Sequence, residues 1–339
     1  MTGHDDDRQT PPEPGHAGRG QSLMGGANAA SGPIHSLSYD GRAGRIFAIW
    51  LLNLALNVVT IGIYSFWGKT RIRRYLARSF TLSGDRFEYT GTGKELFFGF
   101  LKALPLIIAV YAPLVIWPPD LYPVTNFIFI LIVYLFSVAI YAALRYRLTR
   151  TQWRGIRGYL GGSAFRYGFI VMGYGLLNIL TLGLLIPVSD RATLTYKMGN
   201  VWFGNVQGRF DPGSRSLWSS HLITWFLALP TLGISRIWYA AAVFRYQMNS
   251  FSIAGIRLRA EPTGGQLSWL LFGNFLIVVF TLGLGTPFTI QRNMNYVARH
   301  VAFDGDIAAA AARIQQSNEE LGSSGEGLEG ALGVDSGIF

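Results

Sequence analysis

Six long apolar blocks constrain this chain more than any other feature. They run over residues 46–67, 97–117, 124–144, 164–188, 217–234 and 267–290. Each approaches or exceeds the roughly 20 residues that a helix needs to cross a hydrocarbon layer about 30 Å thick. A soluble fold burying that much apolar chain needs polar surface to cover it. Only 14% of the residues are charged while 50% are hydrophobic, against about a quarter charged in an average soluble domain. Buried core helices are also usually shorter than these blocks. Trp50, Trp67, Trp117, Tyr122, Trp218 and Trp269 stand near block ends, where amphipathic rings favour the headgroup level.

The flanks differ in kind. Residues 1–40 are rich in Gly, Pro, Ser, Asp and His without apolar periodicity. They read as a disordered tail rather than a signal peptide, which needs an apolar stretch behind a basic start. Residues 307–339 read as a disordered acidic tail, leaving 41–306 as the membrane domain. The chain has no Cys, which removes disulfides and thiolate metal sites. Its formal net charge is +10. The Lys and Arg cluster beside the apolar blocks, as a positive-inside bias and anionic headgroups require, so the basic balance points to lipid and not to nucleic acid.

The blocks carry an internal repeat of about 50 residues. A Thr, a branched apolar residue, Gly and another branched apolar residue recur at Thr60–Ile63, Thr181–Leu184, Thr231–Ile234 and Thr281–Leu284. A basic, aromatic patch follows each: Arg74 and Tyr75, Tyr196 and Lys197, Arg245 and Tyr246, and Arg292 to Tyr296. The second block pair has the same patch at Arg145 and Tyr146 without the Thr and Gly signature. Eight or nine residues beyond the Tyr comes Gly84, Gly155, Gly204, Gly255 or Gly305. Short alternating stretches such as Arg86 to Tyr89 and Ile256 to Arg259 then read as extended arms bounded by turn glycines. The expected fold is therefore a membrane all-α, multi-pass helical bundle with short cytoplasmic β arms. Five such arms have the means to pair into a sheet against the bilayer, since a lone ribbon is marginal in water.

Asn57, Thr60, Ile61, Gly62, Ile63, Tyr64, Trp67, Arg71 and Tyr75, followed by Thr81, Leu82, Gly84, Phe87, Tyr89, Gly91, Gly93 and Leu96, together resemble the YjgN-like inner-membrane proteins of unknown function. The resemblance extends through the later copies to about Asp306. Family patterns have Pro before the Trp, where this chain has Phe66; later copies keep Pro187 and Pro287 and lose the Trp. The resemblance implies the bacterial cytoplasmic (inner) membrane and a multi-pass fold, and no activity.

Basic residues set part of the topology. The arm over 68–96 holds seven Lys or Arg and that over 145–166 holds six, whereas Pro118–Pro123 holds none. The positive-inside rule places the two arms in the cytoplasm and the Pro118 loop outside. For the other four blocks two models stay open. Single crossings put the arm over 189–216 outside, whereas folding back at each Thr and Gly signature keeps every arm in the cytoplasm.

Candidate chemistry is sparse. Gly91, Gly93 and Lys94 lack the earlier Gly and the Ser or Thr of a phosphate loop. The five His are scattered without metal-site spacing, and no nucleophile elbow occurs. The chain therefore reads as non-enzymatic, with no metal and no cofactor. Lys102, inside a block, and Arg236, just past the end of another, are charges placed to snorkel or to sit at the interface. Asn57 and Thr60, Asn178 and Thr181, and Asn274 and Thr281 share helix faces, which makes them candidates for packing or for a solute or lipid path. Arg71, Arg73, Arg74, Arg145, Arg147 and Arg245 are candidates for contact with anionic lipid headgroups or a protein partner. Transport or binding of a small solute or lipid is one expectation, and a scaffold working through basic cytoplasmic arms is the other.

Overall fold

The computed structural model describes residues 33–116, 122–213 and 215–316. In chain order the elements are β1 (Ile34–Ser36), β2 (Ser38–Tyr39), α1 (Ala43–Val59), α2 (Ser65–Arg78), β3 (Phe80–Leu82), β4 (Asp85–Tyr89), α3 (Gly93–Ile116), α4 (Tyr122–Thr149), β5 (Thr151–Trp153), β6 (Ile156–Leu160), α5 (Ala164–Leu180), α6 (Ile186–Gly199), β7 (Val201–Phe203), β8 (Val206–Gln207), β9 (Arg209–Phe210), α7 (Trp218–Phe226), α8 (Arg236–Asn249), β10 (Phe251–Ile253), β11 (Ile256–Ala260), α9 (Gly264–Phe280), α10 (Thr286–His300) and β12 (Val301–Asp304). A last helix, α11, covers residues 307–316.

This is not an all-α multi-pass bundle. The strands form two antiparallel sheets, and among the described residues only α3 and α4 are long and apolar enough to cross a bilayer. In the other four blocks the outgoing helix stops early. Block 46–67 spans α1, a turn and the first residues of α2. A 17-residue helix such as α1, α5 or α9 rises only about 25 Å, short of the hydrocarbon thickness. Each block thus has the length of a span and the fold of a hairpin. Most of the Pro118–Pro123 loop lies outside the described residues.

The turns follow one local rule at all four signatures. Gly62 donates its N–H to Asn57 O, six residues closing to one, as in a Schellman cap. Ile61 and Gly62 both take left-handed backbone (φ 50° and 86°), and Leu182–Gly183, Leu232–Gly233 and Leu282–Gly283 repeat those values within a few degrees. Two successive left-handed residues reverse the chain, and Gly at the second holds that conformation without a Cβ clash. The Thr explains itself through hydrogen bonds. Thr60 Oγ1 donates to Leu56 O (2.7 Å) and accepts from Tyr64 N (3.0 Å), joining the last turn of α1 to the first of α2. Thr181, Thr231 and Thr281 do the same.

Four of the arms are β-hairpins centred on their first Gly, and the fifth is the single strand β12, whose Gly305 leads into α11. Ser83–Gly84, Arg154–Gly155 and Ala254–Gly255 have φ near +50° and +75 to +87°, the type I′ signature of two-residue hairpins. The arms then join. One sheet has the order β1-β12-β11-β10-β9 and the other β2-β3-β4-β5-β6-β7-β8. β1 and β2 are separated by Leu37 alone, and β8 and β9 by Gly208 alone. At both margins the chain therefore runs from one sheet into the other, and the two sheets close into one ring. A Cβ on Gly208 would sit 2.5 Å from the Phe251 ring, so the second crossover needs a glycine.

A ring of this size is wider than the eight-stranded barrel that side chains alone fill. α11 fills it. Ile307, Ala310, Ala311 and Ile314, spaced to share one helix face, are each no more than 3% exposed. Ile307 and Ala311 pack with Leu82 and Trp153, against Leu37, Phe87, Phe203, Ile256 and Phe303 from around the ring. The regions read as tails, 1–40 and 307–339, thus contribute β1, β2 and α11 to the folded unit. Above the ring the helices pack with their chain neighbours, and α10 returns to α1.

Candidate functional site

Exposure divides each of the four hairpins that carry the Thr and Gly signature. Large apolar side chains lie bare along the outgoing helices and over the turns: Ile61 is 94% exposed, Leu182 79%, Leu232 92% and Leu282 93%. On the return helices this stops after about one turn, at Ile63, Leu184, Trp238 and Phe288. The candidate spans are equally bare, with none of the α3 window and 17% of the α4 window buried. A soluble core helix would be covered, and contiguous apolar surface on this scale marks a face that meets lipid or a partner.

The sequence-nominated polar residues do not converge. Thr60, Thr181 and Thr281 sit on three different hairpins, with their hydroxyls engaged in the turns described above. Asn274 Nδ2 donates to Asn293 Oδ1 (2.8 Å) within its own hairpin. The Oδ1 atoms of Asn57, Asn178 and Asn274 are buried without partners among the described residues.

Three nominated arginines occupy equivalent places and do one job. Arg74 donates to Gly91 O (3.2 Å), Arg145 to Leu160 O (2.8 Å), Gly161 O (3.1 Å) and Gly162 O, and Arg245 to Pro262 O. Each ties the end of a helix to the carbonyls of the strand leading into the next hairpin. The neighbouring tyrosines close the hairpin bases. Tyr75 Oη accepts from Arg42 N (2.8 Å), and Tyr196 Oη both accepts from Ser163 N (2.7 Å) and donates to Ser163 O (2.9 Å). Arg73 reaches Tyr89 Oη (3.3 Å), and Arg71 lies over the Tyr64 ring. Arg147 stands in the last turn of α4.

Two further groupings were not read from the sequence, although Arg71, Arg74 and Arg236 were named there. At the base of the first hairpin, Arg42, Arg45, Arg71, Arg74, Arg78 and Arg86 line a cavity of about 920 Å³. Its one acidic lining residue, Asp40, is paired with Arg86 at 2.6 Å. Beside it, burial pushes the Tyr39 phenol up to about 12, with smaller contributions from Tyr75 and Asp40, so this ring stays neutral. The second is a polar cluster joining the third and fourth hairpins. His221 is fully buried; its Nδ1 lies 3.2 Å from Arg236 Nη1. A guanidinium only donates, so Nδ1 accepts and the ring carries its proton on Nε2. Arg236 also reaches Thr224 Oγ1 (3.3 Å) and caps the Tyr239 ring, and Tyr239 Oη donates to Asp190 (2.7 Å). Arg236 was visible as a charge at a block edge; His221 and Thr224 reach it from α7, and Asp190 joins from α6 through Tyr239, which gave no local signal.

Bare apolar hairpins standing on a basic β ring define a membrane protein, not a soluble domain. The family model described as a bacterial protein of unknown function (DUF898) matches residues 34–235 and 222–331. The chain belongs to that family, the YjgN-like bacterial inner-membrane proteins. It is similar to the inner membrane protein YjgN of Escherichia coli K12, 23% identical over 233 residues, which cover 68% of this chain and 54% of the relative. With YjgN of Escherichia coli O157:H7 it shares 28% over 162 residues (47% and 39%), and with that of Salmonella typhimurium 36% over 77 residues (23% and 18%). The matches thus span about half or less of these relatives' length. No solved structure matches.

Proposed function

We propose that the protein is a non-enzymatic scaffold of the inner membrane that enters the bilayer from the cytoplasmic face and binds anionic lipid there. α3 and α4 cross; the other four hairpins dip in and return. The observation that carries this reading is the division of the four Thr and Gly hairpins, apolar and bare over the outgoing helix and turn, basic at the base where the ring begins. Non-helical backbone at membrane depth is tolerated only where its polar groups are satisfied, and the N–H groups of the Thr and Gly turns all find acceptors within the turn. The basic arms then face the leaflet whose surface potential is negative, which the positive-inside rule also favours.

A Cys-free chain makes the test simple. Cysteines at Ser83 and Gly213 should react with an impermeant maleimide only in inverted vesicles, and one at Ile61 should be protected from both sides. Labelling of the Gly213→Cys variant from the periplasm would sink the dipping-hairpin topology. A second reading, a path for a small solute, draws on the unpartnered Oδ1 atoms of Asn57, Asn178 and Asn274. Under it, replacing all three with Ala abolishes flux while leaving localisation intact.

A further inference from the structure

The arginine-lined cavity at the base of the first hairpin differs from its counterparts in a specific way. The outgoing helices are each entered through an N-cap residue, which for α7 is Leu217, without a side-chain cap. For α3 it is Thr92, whose Oγ1 accepts from Glu95 N (3.3 Å). For α5 it is Ser163, accepting from Arg166 N, and for α9 it is Thr263, with a complete capping box to Gln266. For α1 it is Arg42, which makes no side-chain cap, and the first turn of α1 has no acidic residue. A helix N-terminus presents free N–H groups and partial positive charge, and a Ser or Thr cap normally satisfies them. Here the cap is missing and another cation stands in its place.

The surroundings compound this deficit. Gly44, in that same first turn, lines the cavity and has open space on its Cβ side. Arg71, Arg74 and Arg78 face it from α2, and Arg86 from β4. Only Arg86 has a carboxylate partner; among the described residues Arg42, Arg45, Arg71, Arg74 and Arg78 have none. Several of these side chains are held in position. Arg45 lies 5.9 Å from the Tyr75 ring centre, Arg71 5.9 Å from that of Tyr64, and Arg74 is fixed by Gly91 O. Held guanidinium groups converging with an uncapped helix N-terminus are the chemistry that recognises phosphate, through charge and paired N–H donors.

We infer that this cavity binds a phosphate-bearing anion, which completes the N-terminus of α1 in place of the side-chain cap that α3, α5 and α9 carry. Two sources share that chemistry, the headgroup of an anionic phospholipid and a soluble phosphorylated compound. The headgroup source rests on the membrane placement proposed above, whereas the phosphate chemistry does not.

The test uses the full chain in detergent and in nanodiscs. Inorganic pyrophosphate is the soluble probe, and phosphatidylcholine discs with and without phosphatidylglycerol are the lipid probe. Binding is read as a rise in melting temperature and as lipid retained in native mass spectrometry. Wild type should respond to at least one probe. Arg45→Gln/Arg71→Gln should weaken that response roughly tenfold or more, since charge-assisted contacts are lost. Arg42→Ser is the sharper variant: it should raise the melting temperature without ligand, by restoring the cap, and shrink the shift that ligand produces. A response to phosphatidylglycerol alone assigns the headgroup; one to pyrophosphate alone assigns a soluble anion. The inference is overturned if wild type responds to neither, or if Arg42→Ser and the double variant respond as wild type does. Labelling at Gly213 reads the membrane placement separately, so the two failures are distinguishable.

Discussion

Replacing Thr60 with Val keeps the shape of the side chain and removes its hydroxyl. Two hydrogen bonds go with it, to Leu56 O at 2.7 Å and from Tyr64 N at 3.0 Å. Leu56 O also accepts from Thr60 N (3.0 Å), so its loss is partial. Tyr64 N–H is left without an acceptor. A net hydrogen bond contributes about 1 kcal/mol, and stranding a donor away from water costs about 1–3 kcal/mol. The expected destabilisation is therefore about 2–3 kcal/mol if the turn sits in lipid, where no water replaces the hydroxyl. Thr60→Ser keeps the oxygen and gives up one methyl, at most about 0.8 kcal/mol. Unfolding in mixed micelles with increasing SDS, followed by tryptophan fluorescence, measures both. A Val variant within about 0.5 kcal/mol of wild type would refute the reasoning, because solvated peptide groups lose little when an intramolecular partner goes.

Other perturbations probe other joints. Arg145→Gln removes charged donors from the Leu160, Gly161 and Gly162 carbonyls and should cost about 1.5–3 kcal/mol in the same titration. Gly264→Ala drives a methyl into the Trp238 ring; overpacking of this kind costs about 1–3 kcal/mol, and Trp238 emission should shift. Ending the chain after Asp306 removes the buried Ile307 and Ile314, each contributing about 1.5–3 kcal/mol. The emptied ring should become sensitive to trypsin at Arg257 and Arg259, while an intact pattern would mean that α11 is dispensable.

How much was legible in the sequence varies with the range of the interactions. The Thr and Gly signature could be read because the turn is made by the residues that spell it: Thr60 bonds to Leu56 and Tyr64, and Gly62 to Asn57. The arms were legible as turn glycines and alternation, although Gly84 proved to be the hairpin apex, with β3 before it. The all-α expectation failed because block 46–67 has the length of a span while α1 ends at Val59, and hydropathy does not register a reversal. Ring closure was invisible. It depends on Ile34 meeting Asp304 and Phe210 meeting Phe251, pairings that no local pattern announces. The role of Arg74, Arg145 and Arg245 was hidden likewise, since their acceptors are backbone carbonyls about 15 residues away.

Because β1 is bonded on one side to β12 and continues into β2, bonded to β3, the beginning and end of the fold are sewn into the same stave. During synthesis the early hairpins must wait, with unpaired margins, until the last residues arrive. Non-local closure of this kind is slow, and exposed margins in the interval invite pairing between chains. Once shut, only the short strands at the two crossovers, β1, β2, β8 and β9, remain bonded on one side alone. Maturation should therefore be abrupt and late, and a chain stalled before Val301 should be prone to stick to its neighbours even with every membrane helix in place.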